Sequence, residues 1–89
     1  MKPVHFTRHA RERMAERLTA ETEVIDAIRE GAWQPVEKGR YRVSKWYPFR
    51  EYHKGTFYAG KDVEPVFSEE PDRIVVVTVY VYLNQREEQ

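Results

Sequence analysis

The sequence predicts an α+β fold in which two N-terminal helices pack on a twisted antiparallel β-sheet. Residues up to Gly31 follow helical periodicity, and most of the remaining chain alternates as strands do. The run from Ile74 to Leu83 is almost entirely apolar and β-branched. Helices that precede the strands, rather than alternating with them, are typical of α+β proteins. We expect residues 1–89 to form a single domain, because 89 residues suffice for one modest core.

The first helix is predicted to span about residues 8–18. Thr7 is a suitable N-cap, because its hydroxyl can accept a hydrogen bond from a free N–H group of the first turn. Apolar residues then recur at every fourth position, namely Ala10, Met14 and Leu18. This spacing predicts a narrow buried stripe along one side of the helix.

The second helix is predicted over about residues 20–30, with Thr19 as its N-cap and Gly31 directly after its end. Acidic residues in its first turn suit the positive end of the helix dipole. Its buried face is expected to consist of Val24, Ile25, Ala27 and Ile28. Because only one residue is left between the two helices, we expect a tight corner there.

The sheet is predicted over about residues 33–83, and its first strand lies near Tyr41 and Val43. These two side chains alternate with Arg40 and Arg42, which is the period-two pattern of a half-buried strand. We therefore expect the tyrosine and the valine to face the core. The two arginines would then face outward together.

Three further strands are expected. Residues 51–58 form a weak candidate that Gly55 interrupts, and residues 63–67 form another that Pro65 moves toward an edge of the sheet. Residues 74–83 form the clearest strand. Because the apolar run is nearly continuous, we expect a central strand that is buried on both faces and covered by the helices.

Composition excludes several classes of protein. The chain has no cysteine, which excludes a disulfide framework, a thiolate nucleophile and a Cys-ligated zinc site. No apolar run approaches the ~20 residues of a membrane span, and the first residues lack the apolar stretch of a signal peptide. We therefore expect a cytoplasmic protein without a membrane segment, and a solvated acidic tail at residues 84–89.

The formal net charge is zero, but the charges are unevenly distributed along the chain. Residues 1–54 carry a balance of +4, and residues 55–89 carry −4. Such separation can create a positive face on a neutral protein, and a positive face attracts polyanions. Neutrality therefore excludes only a uniformly basic protein. A solvated surface of mixed charges is the alternative interpretation.

The first helix carries an unusual group of basic residues. Arg8, His9 and Arg11 lie in its first turn, where the helix dipole favours acidic side chains. Because free N–H groups at a helix start bind anions, Arg8 and Arg11 are candidate phosphate ligands. His9, Arg13 and Arg17 follow at intervals of four and so line one side of the helix. The alternative is that ion pairs with nearby acidic residues merely solubilise an exposed helix.

A second basic group is predicted on the sheet, where Arg40, Arg42 and Lys45 lie close to Trp46 and Tyr47. Guanidinium groups beside exposed aromatic side chains suit single-stranded RNA, because charge holds the phosphates and the rings stack on the bases. The alternative is that the two aromatic residues belong to the core. Both interpretations stay open.

No metal or cofactor is expected. Thr7, as the N-cap, separates His5 from His9, so one helix face cannot present both, and no carboxylate cluster completes a ligand set with them or with His53. The sequence also lacks a Gly-rich phosphate loop and a nucleophile elbow.

The residue types of the chain suit RNA cleavage without a metal. That reaction needs a base for the 2′-OH proton, an acid for the 5′-oxygen, and cations to stabilise the phosphorane. His, Arg, Lys and Tyr side chains supply these functions. Tyr80 and Tyr82 are candidate acids if their hydroxyls reach a cleft. The alternative is that their rings pack in the core with the hydroxyls at its rim.

The stretch Phe6-Thr7-Arg8-His9-Ala10-Arg11-Glu12-Arg13-Met14-Ala15-Glu16-Arg17 resembles the opening of domain-of-unknown-function family 4258. The resemblance extends to Gly31, after the second helix, and to Val77-Thr78-Val79-Tyr80 in the last strand. It implies a RelE-like or BrnT-like fold, which is the fold of small ribonuclease toxins that pair with antitoxins. The segment 46–60 departs from the family, because it is longer and more aromatic.

By this resemblance, the opening motif assigns functional roles to His9, Arg13 and Arg17, and the closing motif assigns one to Tyr80. Our leading hypothesis is a toxin-like, metal-independent endoribonuclease with His9, Arg13 and Tyr80 as catalytic residues. The residues expected to bind RNA phosphates are Arg8, Arg11, Arg17, Arg40, Arg42 and Lys45.

The expected partners are RNA, free or on the ribosome, and a cognate antitoxin-like protein. A second hypothesis is a non-catalytic module that binds RNA or protein on the same scaffold. A third is an assembly role in which the positive face pairs with an acidic partner.

Overall fold

The structure, a computed structural model, describes residues 1–87 and confirms the α+β class, with two helices and a six-stranded mixed sheet. The helices are α1 (Arg8–Glu16) and α2 (Glu21–Glu30). The strands are β1 (Val4–Phe6), β2 (Gln34–Val36), β3 (Arg40–Arg42), β4 (Lys45–His53), β5 (Thr56–Glu69) and β6 (Ile74–Asn84). A short 3-10 turn, Glu37–Gly39, joins β2 to β3.

The sheet is ordered β1-β6-β5-β3-β2, and β4 also pairs with β5. Every pair is antiparallel except β1 with β6, which is parallel and places Phe6 beside Val76. The sequence analysis did not predict β1, because three residues are too few to show a period. This strand fixes the entry to α1, since the Thr7 N–H donates to the Val76 carbonyl at 3.1 Å.

The two helices are shorter than predicted, and the corner between them is longer. Thr7 is confirmed as the N-cap of α1, because its Oγ1 accepts from the Ala10 N–H at 3.1 Å. The helix ends at Glu16 rather than at Leu18, which adopts a left-handed conformation with φ of 61°. Four residues therefore separate the helices, where one was expected.

Thr19 does not cap α2 as predicted, since the N-cap is Ala20. The Thr19 hydroxyl instead donates to Glu23 Oε1 at 3.0 Å, and the Ala20 N–H donates to the same oxygen at 3.2 Å. Gly31 follows the end of α2 as expected, but its backbone is extended. A glycine suits this position because a Cβ there would lie 3.1 Å from the Cβ of Val43.

The predicted edge strand at residues 63–67 is in fact the middle of β5, a strand with neighbours on both sides. Pro65 is tolerated because its missing N–H falls at the gap between two shorter strands. Its carbonyl accepts from the Val43 N–H at 3.4 Å, and Val43 lies between the end of β3 and the start of β4. Gly55, expected to interrupt a strand, forms the β4–β5 turn with Lys54, and both have positive φ.

The core lies between the helices and one face of the sheet, which we call the helix face. Its buried residues are Phe6, Ala10, Met14, Val24, Ala27, Ile28, Val43, Val63, Phe67, Ile74, Val76 and Val79. Tyr41 and Tyr47 pack against this cluster, as does Trp33. The expectation that Tyr41 and Val43 face the core is therefore confirmed.

The prediction for the last strand is right in its extent but wrong in part about its surroundings. β6 is central only at residues 74–76, where β1 pairs with it. From residue 77 onward the outer edge of β6 has no strand partner within residues 1–87. Tyr80 and Tyr82 are exposed there on the opposite face of the sheet, which we call the open face.

The predicted tail at residues 84–89 begins later than expected. Asn84 is the last residue of β6, and its Nδ2 donates to Asp62 Oδ2 at 2.8 Å. The Arg86 carbonyl accepts from Trp46 Nε1 at 3.2 Å, so this residue also contacts the sheet. Glu88 and Gln89 lie outside the described residues.

Candidate nucleic-acid interface

The first turn of α1 carries only basic and neutral side chains at its surface, as the sequence indicated. No acidic residue lies in this turn, and both Arg8 and His9 are exposed. Arg8 pairs with Glu12 across one helical turn at 3.3 Å, but its side chain stays 94% exposed. A pair this exposed stabilises the helix by a few tenths of a kcal/mol and leaves the guanidinium accessible to an anion.

Arg11 lies on the flank of α1 that faces α2. It forms an ion pair with Glu21, and its guanidinium lies 5.5 Å from the centroid of the Phe6 ring. At 100° per residue, His9 and Arg13 fall on the other flank of the same helix. Arg11, which pairs with Glu21 of α2, therefore lies on a different side of α1 from His9 and Arg13.

The stripe of His9, Arg13 and Arg17 leads to the unpaired edge of β6. Arg13 pairs with Glu16 at 2.8 Å on the exposed helix surface. Arg17 Nη1 donates to the Val79 carbonyl at 2.9 Å, which is one of the outward carbonyls of that edge. Thr7 bonds to the same strand at its Val76 and Val77 carbonyls, so residues at both ends of α1 contact β6 between Val76 and Val79.

Arg17 also connects α1 with the tyrosines of the open face. Its guanidinium lies 5.1 Å from the centroid of the Tyr80 ring, within the range of a cation–π contact. Tyr80 and Tyr82 stack with centroids 6.4 Å apart and an angle of 13° between the rings. The tyrosines are 41% and 52% exposed, so their rings lie on the surface and not in the core.

Arg40 and Arg42 share the open face with the tyrosines, but acidic residues lie between the two groups. In the antiparallel register Tyr80 faces Glu64 and Tyr82 faces Asp62, both on β5. Arg42 lies on the far side of that strand, opposite Val66, and its Nη2 is 3.4 Å from Gln34 Oε1. The open face therefore carries an aromatic pair beside Arg17 and a basic pair, Arg40 and Arg42. Glu64 and Asp62 lie between them, and Asp62 is paired with Arg86 at 3.3 Å.

Lys45 does not join Arg40 and Arg42, and this part of the predicted group is corrected. Its register partner is Val63, a core residue, and its Nζ donates to Asp26 Oδ2 at 2.7 Å on the helix face. The reason is that the period-two alternation continues in phase through Ser44, which places Lys45 on the side of Tyr41. Trp46 takes the open face instead, and its indole covers Gly60.

A buried polar network on the helix face was missed. Lys61 is 7% exposed, and its Nζ donates to the Leu18 carbonyl at 2.7 Å and to Glu23 Oε1 at 2.9 Å. The Tyr47 hydroxyl donates to Asp26 Oδ2 at 2.5 Å, and its oxygen lies 2.9 Å from the Glu23 carbonyl oxygen. The sequence does contain a signal for it: Lys61 stands two residues before Val63, so strand alternation places both side chains on the buried face of β5.

The network changes the acidity of its members. Burial raises the pKa of Tyr47, and its hydrogen bond to Asp26 raises the pKa further. Hydrogen bonds from Lys45 and Tyr47 lower the pKa of Asp26. For Glu23, burial raises the pKa, but hydrogen bonds from Lys61, Thr19 and Ala20 outweigh it and leave the pKa lowered. The network is thus a set of satisfied ionic groups that holds α2 on the sheet.

Neither a metal centre nor a membrane segment is seen in the described part of the chain. Over residues 1–87 no three His, Asp or Glu side chains gather as metal ligands would. Neither α1 nor α2 has the length and apolar character needed to cross a bilayer.

Comparison with known proteins gives one match. The model of the family described as domain of unknown function (DUF4258) matches residues 6–81, which include α1, α2 and most of the sheet. No curated protein and no solved structure matches the chain. The family assignment expected from the α1 motif is confirmed, while the RelE-like kinship stays a prediction.

Proposed function

The chain belongs to the DUF4258 family, and for this member we propose the activity of a toxin-like, metal-independent endoribonuclease. A family without a described function supplies no activity by itself, so the argument depends on the residues. The observation that carries it is the contact of Arg17 with Tyr80, which joins the basic stripe of α1 to an exposed aromatic pair on β6. Cations and stacking surfaces side by side suit a single RNA strand.

The proposed reaction assigns roles to four residues along α1 and β6, namely His9, Arg13, Arg17 and Tyr80. His9 lies at the start of α1, about 12 Å along the helix from Arg17, which contacts Tyr80, so the RNA strand has to bridge this distance. His9 takes the proton of the RNA 2′-OH while the 2′-oxygen attacks the adjacent phosphorus. The bond from phosphorus to the 5′-oxygen breaks, and Tyr80 donates its hydroxyl proton to that oxygen. Arg13 and Arg17 stabilise the extra negative charge on the phosphorane. The products are a 2′,3′-cyclic phosphate and a 5′-hydroxyl end.

The remaining basic residues have supporting roles in this proposal. Arg8 and Arg11 hold RNA phosphates near the start of α1, and Arg40 and Arg42 hold a second stretch beyond the β5 carboxylates. The proposed setting is the cytoplasm, with RNA as substrate, free or on the ribosome, and a cognate antitoxin-like protein as partner.

Cleavage in the presence of EDTA tests the proposal. We expect the purified protein to cut single-stranded RNA under these conditions, and we expect His9→Ala to reduce the rate by about 100-fold, the usual contribution of a general base. The melting temperature of this variant should stay unchanged, because His9 is exposed. His5→Ala removes an equally exposed histidine of β1 and serves as the control.

Two results would contradict the proposal. One is the absence of both cleavage and any effect on growth when the protein is expressed. The other is an equal loss of cleavage in His5→Ala and His9→Ala, since His5 lies outside the stripe.

A non-catalytic binding module is the second candidate, and the stacked pair of Tyr80 and Tyr82 favours it. Two exposed rings form a surface for bases or for a protein segment without any acid–base chemistry. This candidate predicts RNA binding that weakens steeply with salt and no cleavage. A stable complex with a protein and negligible RNA binding would instead support its protein-binding form.

A further inference from the structure

The strands β4 and β5 extend beyond the rest of the sheet as a two-stranded arm. The last residue of β6, Asn84, pairs with Gly60, and no strand other than β4 pairs with β5 from Thr56 to Ala59 within the described residues. We call residues 49–59 the β-arm. A two-stranded ribbon is marginally stable by itself in water, because it offers few places to bury apolar surface.

The β-arm nevertheless exposes two large aromatic side chains. Tyr52 and Phe57 face each other across the strands, with ring centroids 5.3 Å apart and an angle of 67° between the rings. Tyr52 is 75% exposed and Phe57 is 43% exposed. The two rings therefore contact each other edge to face, and Tyr52 presents most of its surface to solvent while Phe57 presents less than half.

Basic side chains accompany the aromatic pair. Arg50 and Lys54 are exposed, and Glu51 is the one acidic residue of the β-arm. Arg50 lies 3.8 Å from Glu87, but both side chains are 67% exposed, so this contact holds the guanidinium weakly. In a protein whose net charge is zero, residues 49–59 thus carry a net charge of +1, two cations against one carboxylate.

We propose that the β-arm binds single-stranded RNA, with a base stacked on Tyr52 and Phe57 and with phosphates held by Arg50 and Lys54. Aromatic rings bind bases of any sequence, because every base has a π-face. Exposed cations beside the rings suit the charged backbone. These cations favour an anionic occupant over a neutral protein segment, and the two rings favour an occupant with bases to stack. RNA has both properties, which is why it is the favoured occupant.

The position of the β-arm fits the same RNA strand as the proposed catalytic edge. Lys61 binds the Leu18 carbonyl, so the end of α1 lies over that part of β5. Phe57 lies four residues away on the same side of the strand, about 13 Å at the rise of a β-strand. The β-arm is thus within the reach of an RNA strand of a few nucleotides that binds at the end of α1. The inference rests on the proposed function for its ligand class.

A purely structural role for the aromatic pair makes a different prediction. Cross-strand aromatic pairs stabilise hairpins, and so do pairs of β-branched residues. Replacement of both rings by threonine therefore keeps the strand pairing but removes the stacking surface. Tyr52→Phe keeps the ring and should retain binding.

The experiment measures RNA binding in the full-length His9→Ala background, so that the probe is not cut. The probe is a fluorescein-labelled single-stranded RNA of about ten nucleotides, and anisotropy reports its affinity. We expect Tyr52→Thr with Phe57→Thr to weaken binding roughly tenfold or more, the usual effect of losing a stacked base. Val36→Thr changes an exposed apolar strand residue outside the β-arm and should have no effect.

Every outcome decides the inference. Unchanged affinity in the folded double variant overturns it, and so does a change from dimer to monomer at constant affinity, which would assign the β-arm to a second copy of the chain. If the double variant does not fold, Tyr52→Thr alone and Arg50→Gln with Lys54→Gln decide in the same assay. RNA binding through the β-arm without cleavage by the unaltered protein would contradict the proposed function and support this inference.

Discussion

Lys61 places an ammonium group between the sheet and the corner that joins α1 to α2. Its two partners are the Leu18 carbonyl, in the left-handed residue of that corner, and the carboxylate of Glu23. A buried charge that loses one partner costs several kcal/mol, whereas exposed pairs contribute ~1 kcal/mol or less. The conformation of the corner, which ends the proposed RNA stripe, therefore depends on one ion pair.

Glu23 makes the stability of the fold sensitive to acid. Its pKa is lowered from the ordinary value of 4.5, so its carboxylate stabilises the folded state at pH values above 4.5. This stabilisation is lost as the pH falls through the lowered pKa. We expect Glu23→Gln to lower the free energy of unfolding at neutral pH and to flatten its decline below pH 4.5, as measured by urea unfolding at several pH values.

Glu12→Gln is the matched control for this change. Glu12 pairs with Arg8 on the exposed surface of α1, so its removal should leave the pH profile close to that of the unaltered protein. An equally steep acid decline in Glu23→Gln and in the unaltered protein would show that other carboxylates control the transition.

At the level of elements, the residues around Gly60 determine where the β-arm leaves the sheet. The indole of Trp46 lies directly over Gly60, and a Cβ at that position would overlap the ring. Trp46 Nε1 also donates to the Arg86 carbonyl, which holds Arg86 against β4. Glycine is required here for close approach rather than for an unusual backbone conformation.

Gly60→Ala should therefore destabilise the fold through Trp46. We expect a loss of about 1–3 kcal/mol in the free energy of unfolding, the usual cost of overpacking, together with a change in tryptophan fluorescence. In a Trp46→Ala background the same substitution should cost much less, because the overlap is gone. A cost that is equal in the two backgrounds would show that the indole does not contact Gly60.

Local periodicity predicted those elements that are long enough to repeat their pattern. The buried stripes of α1 and α2 were correct in type, and the run of β6 was near-correct in extent. Leu18 was predicted wrongly, because it lies beyond the end of α1 and is 42% exposed. β1 was missed because three residues show no period, and its pairing with β6 is decided by contacts about 70 residues apart. Pro65 was predicted to lie near a sheet edge, but it lies inside β5, opposite the gap between β3 and β4. The position of that gap depends on two other strands, so the sequence around Pro65 does not reveal it.

The sequence could predict which candidate side chains share one face of a helix or strand, but it could not predict how the helix and the strands come together. Helical spacing placed His9, Arg13 and Arg17 on one flank, and strand alternation placed Arg40 and Arg42 on one face. Arg17, at the end of α1, contacts Tyr80 on β6. The spacing of residues within one helix or one strand cannot predict a contact between two elements that are far apart in the sequence. Lys45 was assigned to the wrong face although its phase with Tyr41 was visible in the sequence.

For the whole molecule, the structure explains how a neutral protein presents a positive edge. The acidic half of the sequence contains β5, whose Asp62 and Glu64 occupy the middle of the open face. The basic half supplies α1 and the strands on the other side of β5. Because Arg86 pairs with Asp62 at 3.3 Å, these carboxylates repel a polyanion only in part, and the cations of α1 are what favours binding at the α1–β6 edge.

This distribution predicts how RNA binding responds to salt. Removing one cation that binds a phosphate should make the slope of log K against log salt shallower by about 0.7 for a single strand. We expect a shallower slope in Arg13→Gln and in Arg17→Gln, measured by anisotropy in the His9→Ala background between about 50 and 200 mM salt. Arg73→Gln, in the turn between β5 and β6, should leave the slope unchanged, because it lies outside the stripe and pairs with Glu70. Equal effects of all three substitutions would mean that RNA responds to total charge and that the α1–β6 edge has no special role.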